Sequence, residues 1–458
     1  MASEQEIQMI MKVNAKLHYN KKDEVNKIYS FAVQKNIFKG EFGKKYMARL
    51  KGILESGQPG TDCVLCGGKL ANPQQSLICP ACLRKHQTMQ VQKKPDEMKQ
   101  TYVRERQTPY EAEQTSGKVQ PVQPDRQKVT SMRSGLDKVT SKINEMAGEE
   151  GAVDLKLKDL FSHVFKKHSR GEGEEIFIAG TLKTTPDESE IAVSWPKPWL
   201  FSRVFLILIV SYILLYICAS EFGNPNVLPG LMFVGALAMP FSVLMFFFET
   251  NAPRNISLFE VVKLFFFGGT ASLVITLILF EAYPVGELDY TGAIMVGIIE
   301  ELGKLLAVAI FVKRMNSKYI LNGMLIGAAI GAGFAVFESA GYAFRFFIAY
   351  DYSLDAMTDV LFMRGWSSLG GHVVWAAISG AGLIMAKGDS AFQYKQFLDK
   401  KCLTFFLIPA ILHAVWDCPF MGETDTKFFI LIALAWIVIL VLLSVGLKQI
   451  EKYSRNGQ

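Results

Sequence analysis

The sequence predicts an all-α polytopic membrane protein with about eight transmembrane helices, preceded by a small cytoplasmic four-cysteine zinc ribbon and a flexible linker. Hydrophobic residues make up 50% of the 458 residues. They are concentrated in nearly continuous apolar segments after residue 200, whereas residues 1–195 are mostly polar. Four of the seven cysteines lie close together near the N-terminus. This uneven composition excludes a single soluble domain and favours a membrane domain with an N-terminal extension.

The N-terminal extension begins with a mixed-charge helical segment over residues 1–58, which carries no catalytic pattern. A zinc ribbon is predicted over 59–86 from a C-x2-C, twelve-residue, C-x2-C pattern formed by Cys63, Cys66, Cys79 and Cys82. Two such knuckles supply four thiolates, which suit tetrahedral zinc in a reducing compartment. The ribbon is expected to be structural, and it is a candidate site for a cytoplasmic protein partner.

Two segments connect the ribbon to the membrane. Residues 87–150 are rich in Gln, Lys, Ser and Pro and have few large apolar residues, which predicts a flexible linker. Residues 151–199 regain a helical period and are predicted to be a juxtamembrane amphipathic segment. This segment either lies on the membrane surface or packs against the membrane domain.

The membrane domain is predicted over residues 200–448, followed by a cytoplasmic tail at 449–458. The eight predicted spans are 200–219, 229–249, 258–281, 291–312, 319–348, 357–386, 402–420 and 427–447. Lys and Arg are concentrated in the tail and in the loops after the second, fourth and sixth spans. The positive-inside rule then predicts a plasma-membrane protein with both termini in the cytoplasm. The net charge of +6 is modest for this length and does not indicate nucleic acid.

Ionisable residues interrupt four of the apolar segments. They are Glu300, Glu301 and Lys304 on the fourth span, Glu338 on the fifth, His372 on the sixth, and His413 and Asp417 on the seventh. Charged groups inside a bilayer cost several kcal/mol each and usually have a function. The predicted topology places them in one layer, from the middle of the membrane to its outer leaflet. Imidazole and carboxylate groups are those that hydrolytic chemistry uses.

Local spacing adds detail to this layer. Glu300 and Lys304 are four residues apart and can meet on one helix face. The adjacent Glu300 and Glu301 point about 100° apart, so they are expected to have different roles. Gly323, Gly327 and Gly331 recur every four residues on the fifth span, which predicts close contact with another helix.

The four charged segments resemble a known family. Residues 300–304 fit E-E-x-x-K, residues 334–338 fit F-x-x-x-E, His372 stands alone, and residues 413–417 fit H-x-x-x-D. The order and spacing resemble the PrsW family of intramembrane proteases and, more distantly, the CAAX protease and bacteriocin-processing superfamily. The resemblance covers about residues 290–420. It implies an endopeptidase that cleaves a membrane-anchored protein, such as an anti-sigma factor, on its extracytoplasmic side.

Peptide hydrolysis needs an activated water, a stabilised oxyanion and an acid for the leaving amine. Either Glu300 or Glu301 is expected to be the general base. His372 and His413 would position water or stabilise the oxyanion, or would hold a catalytic Zn2+ together with a carboxylate. Glu338 and Asp417 would orient the histidines or join them as ligands. Metal-dependent and metal-free hydrolysis both remain open.

Two other function classes use similar residues. Buried Glu, Lys, His and Asp also build ion or proton pathways in transporters, although the sequence has no evident inverted repeat. A non-catalytic membrane adaptor that recruits partners through its zinc ribbon is the third hypothesis. Loss of proteolysis on replacing Glu301 or His413 would separate a protease from both.

Overall fold

The computed structural model describes residues 46–48, 51, 62–63, 66–69, 126–419 and 426–456, with side chains from 133 to 455 in the longer stretches. In the N-terminal part, Asp62 and Lys69 form an isolated antiparallel bridge. The Cys63 amide donates to the Gly68 carbonyl at 2.6 Å, and the Gly68 amide donates to the Cys66 sulfur at 3.4 Å. Because Cys79 and Cys82 lie outside the described residues, the four-cysteine site stays a prediction.

Between residue 126 and the membrane region, the described chain forms three α-helices: α1 (Arg126–Ala147), α2 (Leu157–Leu160) and α3 (Arg170–Phe177). The first lies within the predicted flexible linker, so the C-terminal part of that segment is helical. The predicted juxtamembrane segment contains two short helices instead of one amphipathic helix. Ser169 accepts from the Glu172 amide and caps α3, and this capping box starts a new helix at Arg170.

Ten further helices form the membrane region. They are α4 (Leu200–Ser220), α5 (Leu228–Thr250), α6 (Leu258–Lys263), α7 (Gly269–Ala282), α8 (Tyr290–Met315), α9 (Ile320–Ala349), α10 (Leu354–Ser367), α11 (His372–Lys387), α12 (Lys400–Asp417) and α13 (Thr426–Asn456). A π-turn (Leu264–Gly268) joins α6 to α7, and a 3-10 turn (Ser368–Gly370) joins α10 to α11. Two more 3-10 turns, Pro225–Val227 and Tyr394–Leu398, precede α5 and α12.

Six helical stretches of the described chain are long and apolar enough to cross a membrane: 200–220, 225–250, 258–282, 320–349, 354–387 and 426–455. They correspond to six of the eight predicted spans. The other two predicted spans coincide with α8 and α12, which carry the intramembrane charges that lower their hydropathy. Eight crossings therefore stay a prediction.

The sixth predicted span, at 357–386, is not one continuous helix. It is broken at residues 368–371, where Ser367 and Ser368 turn their hydroxyls back to the Arg364 carbonyl and two glycines follow. Ser and Gly pairs are recognised causes of helix breaks. The Trp436 indole donates to the Leu369 carbonyl at 2.7 Å and so occupies one of the backbone groups freed by the break. Consequently His372 is the first residue of α11 rather than part of a helix interior.

The predicted glycine contact is confirmed. A Cβ on Gly323, Gly327 or Gly331 of α9 would fall within 3.0 Å of backbone atoms of α11. The two backbones therefore touch along this line, and α9 makes its most extensive helix contact with α11. In addition α8 packs on α12, and α11 on α12. These four helices carry the predicted intramembrane site residues.

Replacing Gly327 with alanine should destabilise the fold, since the new Cβ would collide with the carbonyl of Ala376. Overpacking of this kind costs about 1–3 kcal/mol. Thermal unfolding in detergent should show a lower melting temperature than in wild type. Gly341→Ala on the same helix is the matched control, because nothing described lies within 4 Å of its Cβ position. Equal melting temperatures for the two variants would contradict the close α9–α11 contact.

Candidate functional site

All six predicted site residues come together, and Lys304 lies among them. Its ammonium is fully buried and donates to Glu301 Oε1 at 2.7 Å and to His372 Nδ1 at 2.8 Å. It lies 4.2 Å from the centre of the Phe334 ring and 3.5 Å from Glu300 Oε2. This single cation therefore links residues of α8, α9 and α11.

Glu301 connects the ammonium to α12. The carboxylate oxygen that accepts from Lys304 also accepts from His413 Nδ1, at 2.9 Å. With its hydrogen on Nδ1, the His413 ring turns Nε2 towards Asp417 Oδ2 at 3.4 Å and Glu300 Oε2 at 3.8 Å. Glu301 is completely buried. Its position suits orientation of His413.

Glu338 makes the equivalent contact with the other histidine. His372 Nε2 lies 3.0 Å from Glu338 Oε2. Because Lys304 donates to Nδ1 of the same ring, Nε2 must carry the hydrogen and donate to Glu338. The Glu338 carboxylate also accepts a hydrogen bond from Arg364 Nη2, at 2.5 Å. Arg364 lies outside the four motifs, so the sequence patterns did not predict it as a site residue.

Glu300 is the more accessible of the two adjacent glutamates. It is 8% exposed, and its Oε2 has no hydrogen-bond partner among the described residues. Native structures rarely leave a buried carboxylate oxygen without a donor unless it has a function or binds a water or ion. Glu301 Oε2 is likewise without a partner, but that residue is fully enclosed and its Oε1 is held by Lys304 and His413. The Glu300 side chain is 11% exposed, so of the two available oxygens only the one on Glu300 belongs to a side chain with access to water.

Two more residues that sequence reasoning missed support the site. The Trp375 ring stacks on His413 with 4.5 Å between ring centres. The Lys427 ammonium donates to the carbonyls of Trp416 and Cys418, at 2.9 and 2.8 Å, and so ties the end of α12 to α13. The position of Trp375 one turn after His372 was a usable signal. The role of Lys427 depends on a backbone contact that no residue pattern encodes.

The residues fit a divalent metal ion. One ligand atom each from Glu300, His372 and His413 can be chosen so that all lie within 4.8 Å of one another. Two histidines and one glutamate form a known ligand set for catalytic zinc. The charge of the group also suits a cation, because it contains four carboxylates against Lys304, Arg364 and the neighbouring Lys427 as permanent cations. With both imidazoles neutral, one negative charge remains, which a bound cation would offset.

Residues 257–444 match the model of a known family, described as PrsW family intramembrane metalloprotease. The matched range contains every residue of the site. No curated protein and no solved structure gives a significant match. The family match supports an enzyme of the intramembrane protease class, and it confirms that prediction at this level. The transporter and adaptor hypotheses are not favoured.

Replacing Lys304 with methionine should lower the free energy of unfolding by about 3–5 kcal/mol, because it leaves Glu301 charged, buried and without its cation. The double variant Lys304→Met, Glu301→Gln should recover part of that loss. Chemical unfolding in detergent measures both. As a control, Lys263→Met removes a half-exposed pair with Glu260 and should cost less than about 1 kcal/mol. Similar losses from the two lysine variants would contradict the central role of Lys304.

Proposed function

We propose that this protein is an intramembrane endopeptidase that hydrolyses a membrane-anchored protein near the outer leaflet. The observation that carries the proposal is the available Oε2 of Glu300, buried beside two histidines and an ammonium group. A carboxylate oxygen without a donor can take a hydrogen bond from a water molecule and then its proton. We assign Glu300 as the carboxylate that meets the attacking water.

The other groups have supporting roles. Lys304 holds Glu301, and Glu301 holds the Nδ1–H of His413, so that His413 Nε2 faces the space beside Glu300. Glu338 holds the Nε2–H of His372 in the same way. His413 Nε2, which carries no hydrogen in this tautomer, is therefore placed to accept a hydrogen bond from the water and to position it. The proton that Glu300 takes from the water can then be given to the leaving amine. Asp417, which is partly exposed and lies 3.4 Å from His413 Nε2, would orient that imidazole.

In the metal-dependent form of this chemistry, Glu300, His372 and His413 would hold the ion. When bound, zinc supplies Lewis acidity and lowers the pKa of a water molecule to about 7. His372 would offer Nδ1, the nitrogen that accepts from Lys304, because its Nε2–H is held by Glu338. The carboxylate–imidazole pairs at His372 and His413 are the partners that metal-ligating histidines usually have.

Membrane placement makes the substrate assignment more specific. We propose eight crossings, including α8 and α12, with both termini in the cytoplasm of a plasma-membrane protein. The basic loops and the buried charges of α8 and α12 support this arrangement, which puts the site in the outer half of the bilayer. An extracytoplasmic juxtamembrane segment of a single-span protein, such as an anti-sigma factor, would reach it. The predicted zinc ribbon at Cys63, Cys66, Cys79 and Cys82 would recruit a cytoplasmic partner.

Replacing Glu300 with glutamine should abolish proteolysis while leaving the fold intact, because the amide cannot accept the proton of water. The expected loss is about 100- to 10,000-fold. Mass spectrometry of new protein termini in membranes from cells that express each variant measures it. Glu281→Gln, an exposed glutamate at the end of α7, is the matched control and should retain every product. Undiminished product termini with folded Glu300→Gln would exclude this residue as the reactive carboxylate.

Metal dependence can be tested in a variant in which the four ribbon cysteines are replaced by serine. Once it is shown to be folded, this variant should bind about one zinc ion per chain, and His413→Ala in the same background should bind none. His163→Ala, which changes a histidine outside the site, is the control for zinc loss. Full proteolysis by a metal-free sample of the cysteine variant would establish the metal-free mechanism instead.

A further inference from the structure

Arg364 lies outside every motif of the sequence, yet it makes three contacts at the edge of the site. Its Nη2 donates to Glu338 Oε2, its Nε donates to Ser339 Oγ at 2.9 Å, and its guanidinium lies 4.4 Å from the centre of the Tyr342 ring. All three partners belong to α9, whereas Arg364 belongs to α10. The arginine is thus held in one orientation across the contact between these helices.

Glu338 Oε2 accepts hydrogen bonds from both Arg364 Nη2 and His372 Nε2. A carboxylate with a single contact could rotate away from the imidazole. The guanidinium fixes it, because Ser339 and Tyr342 fix the guanidinium in turn. Arg364 therefore determines where the acceptor for the His372 hydrogen lies.

This arrangement repeats the one around the other histidine. Lys304 holds Glu301, which holds His413, and Arg364 holds Glu338, which holds His372. In each series a permanent cation orients a carboxylate and the carboxylate orients one imidazole. Lys304 belongs to a motif, but its counterpart on α10 does not.

We propose that Arg364 is a positioning residue for hydrolysis, which acts through Glu338 to fix the orientation of the His372 ring and its Nε2–H. The proposal rests on the proposed function and adds a residue to it. Arginine suits the role better than lysine. Its planar guanidinium donates to Glu338 and Ser339 through two different nitrogens, and the plane of the guanidinium packs on the Tyr342 ring. The side chain is 28% exposed, so its removal opens no closed cavity in the protein core.

The first test needs no substrate. Histidine labelled with 15N in the full-length protein reports the tautomer of each of the six imidazoles by NMR at a fixed pH, and His372→Gln assigns the His372 signal. In Arg364→Gln, the His372 Nε2 signal should shift and broaden, because Glu338 no longer holds the Nε2–H in one orientation, while Lys304 still keeps the hydrogen off Nδ1 and His413 is unchanged. Arg345→Gln is the matched control, because Arg345 is exposed on α9 with no described partner. An unchanged His372 signal in Arg364→Gln would overturn the proposal.

The second test uses a membrane-anchored reporter chosen from proteins whose cleavage depends on Glu300. Arg364→Gln should lower kcat about 10- to 100-fold with little change in KM, as expected for a residue that orients a site histidine. Arg364→Lys should recover part of the kcat, and Arg345→Gln should behave as wild type. In a Glu338→Gln background, Arg364→Gln should cause no further loss, because its partner is already changed. A full additional loss in that background would show that Arg364 acts independently of Glu338 and would overturn the proposal.

The two tests separate this proposal from the proposed function. If no membrane protein is cleaved in a Glu300-dependent way, the proposed function fails, while the NMR result still decides whether Arg364 controls His372. If cleavage depends on Glu300 but neither kcat nor the His372 signal responds to Arg364, only the positioning role fails.

Discussion

The structure of the site depends on one buried cation. Lys304 has no exposed surface, and an ammonium group inside a membrane protein must be paired to remain charged. Its partners come from two helices, Glu301 one turn away on α8 and His372 at the start of α11, and the Phe334 ring of α9 covers it. Glu301 extends the link to His413 on α12. One ammonium group therefore sets the relative positions of the two histidines.

The ion pair between Lys304 and Glu301 also gives the two adjacent glutamates different roles. Their side chains point about 100° apart on α8, so only one of them can accept hydrogen bonds from both Lys304 and His413. That residue is Glu301, whose Oε1 is shared between them. Glu300 remains near both cationic and imidazole groups without a direct donor on Oε2. A carboxylate oxygen without a hydrogen-bond donor keeps a lone pair for a water molecule, and burial raises its affinity for the proton of that water.

Much of this arrangement was predictable because helices convert sequence spacing into shared faces. Positions 300 and 304, or 413 and 417, meet at four-residue spacing, and the glycines of α9 predicted its contact with α11. The unequal roles of Glu300 and Glu301 were not predictable, since they depend on which carboxylate faces a lysine and a distant histidine. Arg364 follows Glu338 by 26 residues and crosses a loop, so no periodicity connects them. The break at residues 368–371 had a usable signal in the Ser-Ser-Leu-Gly-Gly run of residues 367–371, but the apolar residues on both sides favoured one continuous span.

That break explains how a carboxylate of α9 reaches a histidine of α11. Gly331 of α9 lies against the His372 carbonyl, and Glu338 follows two turns later on the same face. If α11 continued upstream of His372 as a straight helix, its backbone would pack over this face and leave no room for a glutamate side chain. Because α11 begins at His372, the face beyond Gly331 is open, and Glu338 extends across the end of the helix to His372 Nε2. The helix α10, which lies between α9 and α11 in the chain, places Arg364 beside the Glu338 carboxylate. The glycines of α9 set how closely α9 and α11 approach. The helix break leaves the space in which Glu338 orients the His372 imidazole.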